Sequence, residues 1–214
     1  MKFAYFNPTI VGVDDVPESI FQKLIDIAVR AHERIDLNDA GDQSISVRGG
    51  QQIQLLPAHE SLGIDIAPLR DYVENLAQRY LDNLSTTTAF DLSRLKPVLV
   101  SAWTIKQSQG QYQALHVHDA NISGNIYIDS PQFDPLSSVT DGKLELRLPV
   151  SRDIPRFVFT DTFMMSPNVK QCIVFPGHLA HTVYPWKGTG HRTVIAWDVR
   201  FVNKNSTQNL FEIQ

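Results

Sequence analysis

Residues 113–128 read QALHVHDANISGNIYI, and this stretch decides what surrounds it. Side chains two apart on a strand point to one face. His116 and His118 can therefore converge on one ion while Val117 turns the other way. Outward from this stretch, short β-rich runs succeed one another, separated by Gly, Pro, Asp and Asn. They are PVLVSAWTIK, QALHVH, ISGNIYID, KLELRLP, RFVFT, QCIVF, AHTVYPW and RTVIAWDVRF. Such a series predicts a sandwich, jelly roll or barrel. No βαβ alternation is present, which argues against a parallel doubly wound sheet.

Upstream the period changes. From Pro17 to Ile35 the residues Ile20, Phe21, Leu24, Ile25, Ala28 and Ala31 recur at three- and four-residue steps, an amphipathic helix. Asp15, Pro17 and Glu18 mark its start. A second helix is expected over Ala67–Leu84, with Leu69, Tyr72, Val73, Leu76, Ala77, Tyr80 and Leu81 on one face, and Asp65 and Pro68 at its start. Between the helices, SISVRGGQQIQLL reads as a loop leading into a short strand. The expectation is one domain over 1–214: a helical part (1–94), a jelly-roll core (95–203) and a polar tail (204–214). The segments 130–142 and 149–156 read as long surface loops of the kind that often serve function.

The composition is that of an ordinary soluble protein. The 214 residues are 43% apolar and 20% charged, with 19 Lys and Arg against 23 Asp and Glu for a net charge of −4. A chain this long buries roughly 70% of its unfolded surface and needs no staple to fold. The acidic balance and the lack of a basic block argue against nucleic acid as a partner. No run of 18 apolar residues is available for a membrane span. The first residues, MKFAYFNPTI, place Pro and polar groups where a signal peptide needs an apolar run. With a single cysteine, Cys172, in the apolar run QCIVF, the expected place is the cytoplasm.

Two further histidines lie in FPGHLAHTVYP, where His181 opens a strand-like run and His178 comes after a Pro-Gly turn. Imidazole suits Fe, Zn, Cu and Ni, and three protein ligands with open positions mark a catalytic metal. His32, His59, His178 and His191 are expected at the surface or in turns. No G-x-S-x-G, Walker A or G-x-G-x-x-G motif occurs.

The order H-x-H, S-G-x-x-Y, G-x-L, F-P-x-x-x-x-H and R resembles the Fe(II)- and 2-oxoglutarate-dependent oxygenases. It is most similar to a subfamily whose pattern includes W…G-x-Y…H-x-H…SGxxY…G-x-L…FP…H…R. Here the matching residues are Trp103, Gly110, Tyr112, His116, His118, Ser123, Gly124, Tyr127, Gly142, Leu144, Phe175, Pro176, His181 and Arg192. The upstream RGGQQ resembles a Gly-Gly-Trp-Gln stretch of those proteins, with Gln51 at the Trp position.

The resemblance implies a mainly β (α+β) fold: a double-stranded β-helix (jelly-roll) core with two N-terminal helices packed on it. It implies Fe(II) held by His116, His118 and His181, and 2-oxoglutarate as cosubstrate. Arg192, Tyr127 and Ser123 would hold the far carboxylate of that acid. Arg suits this role because its planar fork matches a carboxylate. The implied activity is hydroxylation of a small-molecule or peptide substrate with release of succinate and CO₂, and a homodimer is the default assembly.

The wider superfamily has a carboxylate where this chain has His118. Asp119 is the competitor, but strand parity favours His118. Two other readings stay open: a cupin-type three-His metalloenzyme without 2-oxoglutarate, and a jelly-roll binding module without catalysis.

Overall fold

The structure, a computed structural model, describes residues 9–33, 47–48, 50–87, 91–136, 138–148 and 162–205. Along the chain come β1 (Gly12–Asp15), α1 (Glu18–Glu33), β2 (Val47–Arg48), β3 (Gln51–Leu56), α2 (His59–Leu62) and α3 (Ala67–Thr87). Next are the strands β4 (Leu95–Gln107), β5 (Tyr112–His116), β6 (Ile122–Asp129), β7 (Gln132–Phe133) and β8 (Leu144–Arg147). The last are β9 (Thr162–Met165), β10 (Gln171–Pro176), β11 (His181–Val183), β12 (Gly188–Thr189) and β13 (Arg192–Asn203).

The strands form two facing sheets. One runs β1-β10-β6-β13-β4-β3 and the other β2-β5-β11-β8-β9, with a small β7-β12 pair beside them. Among the described residues all these pairings are antiparallel. This is the expected strand-rich α+β jelly roll.

The helices cover the outer face of the six-stranded sheet. The buried stripe of α1 is Phe21, Leu24, Ile27, Ala28 and Ala31; Ile20 and Ile25, expected on it, lie half-buried at its margin, and Ile27 takes a place the expected stripe left out. Asp65 Oδ1 accepts the Ala67 N–H at 2.9 Å and so starts α3. Between helices and sheet lies one apolar cluster that includes Ile126, Cys172, Val174, Ile195 and Trp197. Between the two sheets lies a second, with Ile105, Tyr127, Leu144, Leu146, Phe175 and Val194. Strand β6 alternates between them, with Ile126 in the first and Tyr127 in the second. Residues 122–128 are therefore buried on both faces, and only Asp129 at the strand's end is exposed.

Several boundaries differ from expectation. The helix α3 runs on to Thr87, and the strand around the His pair stops at His116, so His118 lies just beyond it. The short strands β1, β2, β7, β9 and β12 are not legible: in β1, four residues reading GVDD carry little β signal, yet they pair with β10 at the sheet's edge. The expected strand RFVFT, the loop 149–156 and most of the tail lie outside the described residues. Within 130–142, Leu136 and Val139 stand 93% and 78% exposed, in keeping with a surface loop.

Gly124 shows how tightly β6 is packed. A Cβ there would run into the Trp197 ring and the Ile173 carbonyl. Neither can give way inside a two-sided core. Gly124→Ala is expected to destabilise by about 3 kcal/mol. That is a fall in Tm of roughly 6–12 °C for a chain of this length, readable in a thermal melt.

Candidate metal centre

The two sheets bring the three histidines to one end of the space between them. His181 opens β11 and stands opposite His116, the last residue of β5. His118 is fixed by its own backbone, whose N–H donates to the Gly177 carbonyl at 2.9 Å. The Phe-Pro-Gly turn before His181 thus clamps the chain just after His116. The imidazole rings of His116 and His181 lie 4.2 Å apart, and His118 stacks on His181 at 5.0 Å and on Trp103 at 5.5 Å.

The hydrogen bonds fix the tautomers. His116 Nδ1 donates to the Ala114 carbonyl at 2.7 Å, and His181 Nδ1 to the Leu179 carbonyl at 2.9 Å. His118 Nδ1 donates to Asp198 Oδ1 at 2.9 Å. Each ring spends its Nδ1–H on an acceptor, which leaves Nε2 as the atom that can face a metal. The ligand atoms of the three residues lie within 4.8 Å of one another, and Nε2 of His118 and His181 are 3.2 Å apart. At that distance the two nitrogens share a cation, either a proton in a hydrogen bond or a metal ion. Burial works against a proton on two of the rings: it drives His181 down to about 3, and it lowers His116 as well. Three neutral nitrogens on one side of an ion, with the other side open, suit Fe(II) and its neighbours in the first transition row.

Asp119 does not compete. Its side chain is fully exposed, 100%, and pairs with Arg200 Nη2 at 2.9 Å. A carboxylate does reach the centre, one bond further out. Asp198 Oδ1 receives both His118 Nδ1–H and, at 2.6 Å, the Ser123 hydroxyl. Asp198 was missed in the sequence, although it continues the alternation Arg192, Val194, Ala196. Register supplies the contact, since Asp198 faces Ser123 across β13 and β6.

A carboxylate on the far nitrogen of a ligating imidazole orients the ring and strengthens its donor power. Asp198→Asn keeps the shape and removes the charge. It is expected to weaken metal binding about 10–100-fold in a chelator-competition titration. An unchanged affinity would mean that Asp198 merely packs.

Arg192 is 2% exposed at the start of β13. Nη1 donates to the Gly142 and Tyr184 carbonyls at 3.0 and 3.3 Å, and Nη2 to Gln107 Oε1 at 2.6 Å. Burial pulls the guanidinium down to about 10, which leaves it charged at neutral pH. Tyr127 is buried near it, and its hydroxyl is pushed up by burial while Arg192 acts in the opposite direction. The structure thus brings Arg192 and Tyr127 together. Ser123 instead sits with Asp198 and His118.

The remaining histidines divide. His178 and His191 are exposed. His32 is a correction: it is half-buried and joins α1 to the sheet, through Gln51 Oε1 at 2.9 Å and Thr104 Oγ1 at 3.2 Å. A helix face that packs on a sheet carried it inward. His59 is also half-buried rather than at the surface, in the short helix α2. Cys172 is fully buried, its thiol pushed up to about 12 by that burial, and is inert packing. Trp197 is fully buried beneath the helices. Trp103 instead lines a groove of about 240 Å³ beside His116 and His118, with Gln52, Gln54, Ser101, Gln113 and Val117.

Comparison with known proteins places this geometry. Residues 101–198 match the family described as "Putative 2OG-Fe(II) oxygenase". No curated protein matches the chain. Among solved structures, a viral collagen prolyl hydroxylase from Paramecium bursaria Chlorella virus-1 superposes with a TM-score of 0.53 at 14% identity, over 90% of this chain and 96% of that one. A Pseudomonas putida prolyl-4-hydroxylase gives 0.54 at 13% identity, over 89% and 92%. A Trichoplax adhaerens prolyl hydroxylase, solved with a hypoxia-inducible-factor peptide fragment, gives 0.53 at 12% identity, over 91% and 84%. At these identities the likeness is one of fold.

Proposed function

We propose that this chain, whose residues 101–198 match the 2OG-Fe(II) oxygenase family, is a 2-oxoglutarate-dependent dioxygenase that hydroxylates a small-molecule or peptide substrate. Fe(II) and 2-oxoglutarate are the cofactor pair, and His116, His118 and His181 can hold the metal. When bound, the pair supplies the oxidising chemistry, consuming O₂ and releasing succinate and CO₂. Every other part is positioning by the protein.

His116, His118 and His181 offer three imidazole nitrogens to the metal. Asp198 and Ser123 hold the His118 ring. Arg192 gives the far carboxylate of 2-oxoglutarate a cation in a dry site, with Tyr127 beside it. The groove along Trp103 brings substrate to the open side of the metal. Its lining of carboxamides, one hydroxyl and an indole is neutral, which favours an uncharged polar substrate.

The observation that carries this reading is the inward convergence of three Nε2 atoms whose Nδ1–H groups are all spent elsewhere. The test is anaerobic addition of Fe(II) and then 2-oxoglutarate, with visible absorption as the readout. The expected result is a weak charge-transfer band that appears with both and with neither alone. On admitting O₂, succinate is released. Metal uptake with no band and no succinate would favour a three-His enzyme that does not use 2-oxoglutarate. No metal uptake would overturn both.

A further inference from the structure

Arg192 is a buried cation whose hydrogen-bond partners are all neutral. A guanidinium has five N–H donors and no acceptor. Three contacts are in use, so at least two donors are left for an incoming group. Because Arg192 can only donate, Gln107 must turn its amide oxygen toward it. The Gln107 amide nitrogen then points elsewhere, and it is buried without a partner. Gln107 is itself only 2% exposed. The Trp186 ring lies against the guanidinium, its centroid 4.8 Å from Cζ. Its indole Nε1 is likewise buried without a partner.

Unmet buried donors are unfavourable, and an uncompensated buried cation more so. Here two such donors adjoin such a cation, and all the unmet groups share one polarity. An anion placed among them would satisfy such donors and balance the cation.

The chain is built to keep Gln107 in place. Antiparallel pairing of β4 with β13 sets Gln107 directly opposite Arg192. Gly50, in the RGGQQ stretch, has a φ of +97° and no side chain where a Cβ would come within 2.8 Å of Gln107 Cγ. A larger residue there would push the amide aside.

We infer that Gln107 Nε2 and Trp186 Nε1 act with Arg192 as one donor set for the far carboxylate of the cosubstrate, and so select a 2-oxo dicarboxylate over a 2-oxo monoacid. This rests on the 2-oxoglutarate reading above. Both are proposed to hold the cosubstrate's far end; neither is one of the three histidines that can hold the metal.

Binding is measured by calorimetry on Mn(II)-loaded protein, where no turnover intrudes. The ligands are 2-oxoglutarate and 2-oxopentanoate, which has the same carbon chain without the far carboxylate. Wild type is expected to prefer 2-oxoglutarate. Gln107→Leu and Trp186→Phe each weaken 2-oxoglutarate about ten-fold or more, the range for a hydrogen bond to a charged group. Both leave 2-oxopentanoate within about two-fold. Gln107→Glu supplies an internal carboxylate to Arg192 and abolishes the preference. Trp186→Phe keeps the ring and guards against a Gln107 variant that fails to fold.

Unchanged 2-oxoglutarate affinity in Gln107→Leu and Trp186→Phe overturns the donor set. Equal losses for the two acids overturn it too, as a merely structural effect. Wild-type protein that binds Mn(II) but not 2-oxoglutarate overturns the functional reading itself.

Discussion

Replacing His181 with Ala is expected to abolish stable metal binding, and with it any spectral change on adding 2-oxoglutarate. His181 is the most buried of the three ligands and the one the other two lean on. It faces His116 across the β5–β11 pairing and stacks on His118 at 5.0 Å. Without it two imidazoles remain, too few to close one side of an ion. The loss should exceed the 10–100-fold expected for an outer partner such as Asp198. Metal affinity by chelator competition measures it.

The folded state should survive, since one buried side chain removed costs about 1–3 kcal/mol. His178→Ala is the matched control: three residues upstream, exposed, and expected to change nothing. If His181→Ala binds metal as tightly as wild type, no metal centre exists here.

How much of the molecule is legible in its sequence depends on the range of the signal. The helix faces come from spacing alone, because α1 and α3 bury the residues that recur every third and fourth position. The pairing of His116 with His118 comes from strand parity. It holds even though β5 ends at His116, because the Gly177 carbonyl keeps the next residues in line. His181 comes from the order of motifs around it.

Contacts set by register stay hidden. Asp198 lies 80 residues from His118 along the chain, and only the β6–β13 alignment brings them together. Gln107 became visible for the same reason, through its place opposite Arg192. His32 looked like a surface residue, because helical periodicity says which residues share a face but not what lies against its margin. Gln51 and Thr104 make that margin polar and take the imidazole in.

Arg192→Met separates a residue kept for stability from one kept for a ligand. The guanidinium is almost wholly buried, and among its described contacts there is no carboxylate. Removing a buried charge in favour of an apolar chain of similar length is often neutral or stabilising. Methionine also keeps a favourable contact with the Trp186 ring. Against this, the Gly142 and Tyr184 carbonyls and the Gln107 amide oxygen each lose a donor, at about 1–3 kcal/mol for any that stays dry. The two effects oppose each other, so Tm should move by only a few degrees.

The affinity for 2-oxoglutarate should move far more. A desolvated carboxylate that loses its cation forfeits about 3–5 kcal/mol, or more than 100-fold in Kd. Metal binding should be untouched, since Arg192 makes no contact with the three histidines. The combination of steady Tm, intact metal site and lost 2-oxoglutarate is what a ligand-binding arginine produces. A large fall in Tm with 2-oxoglutarate affinity preserved would instead make Arg192 a clamp between β4, β13 and the Gly142 and Tyr184 carbonyls.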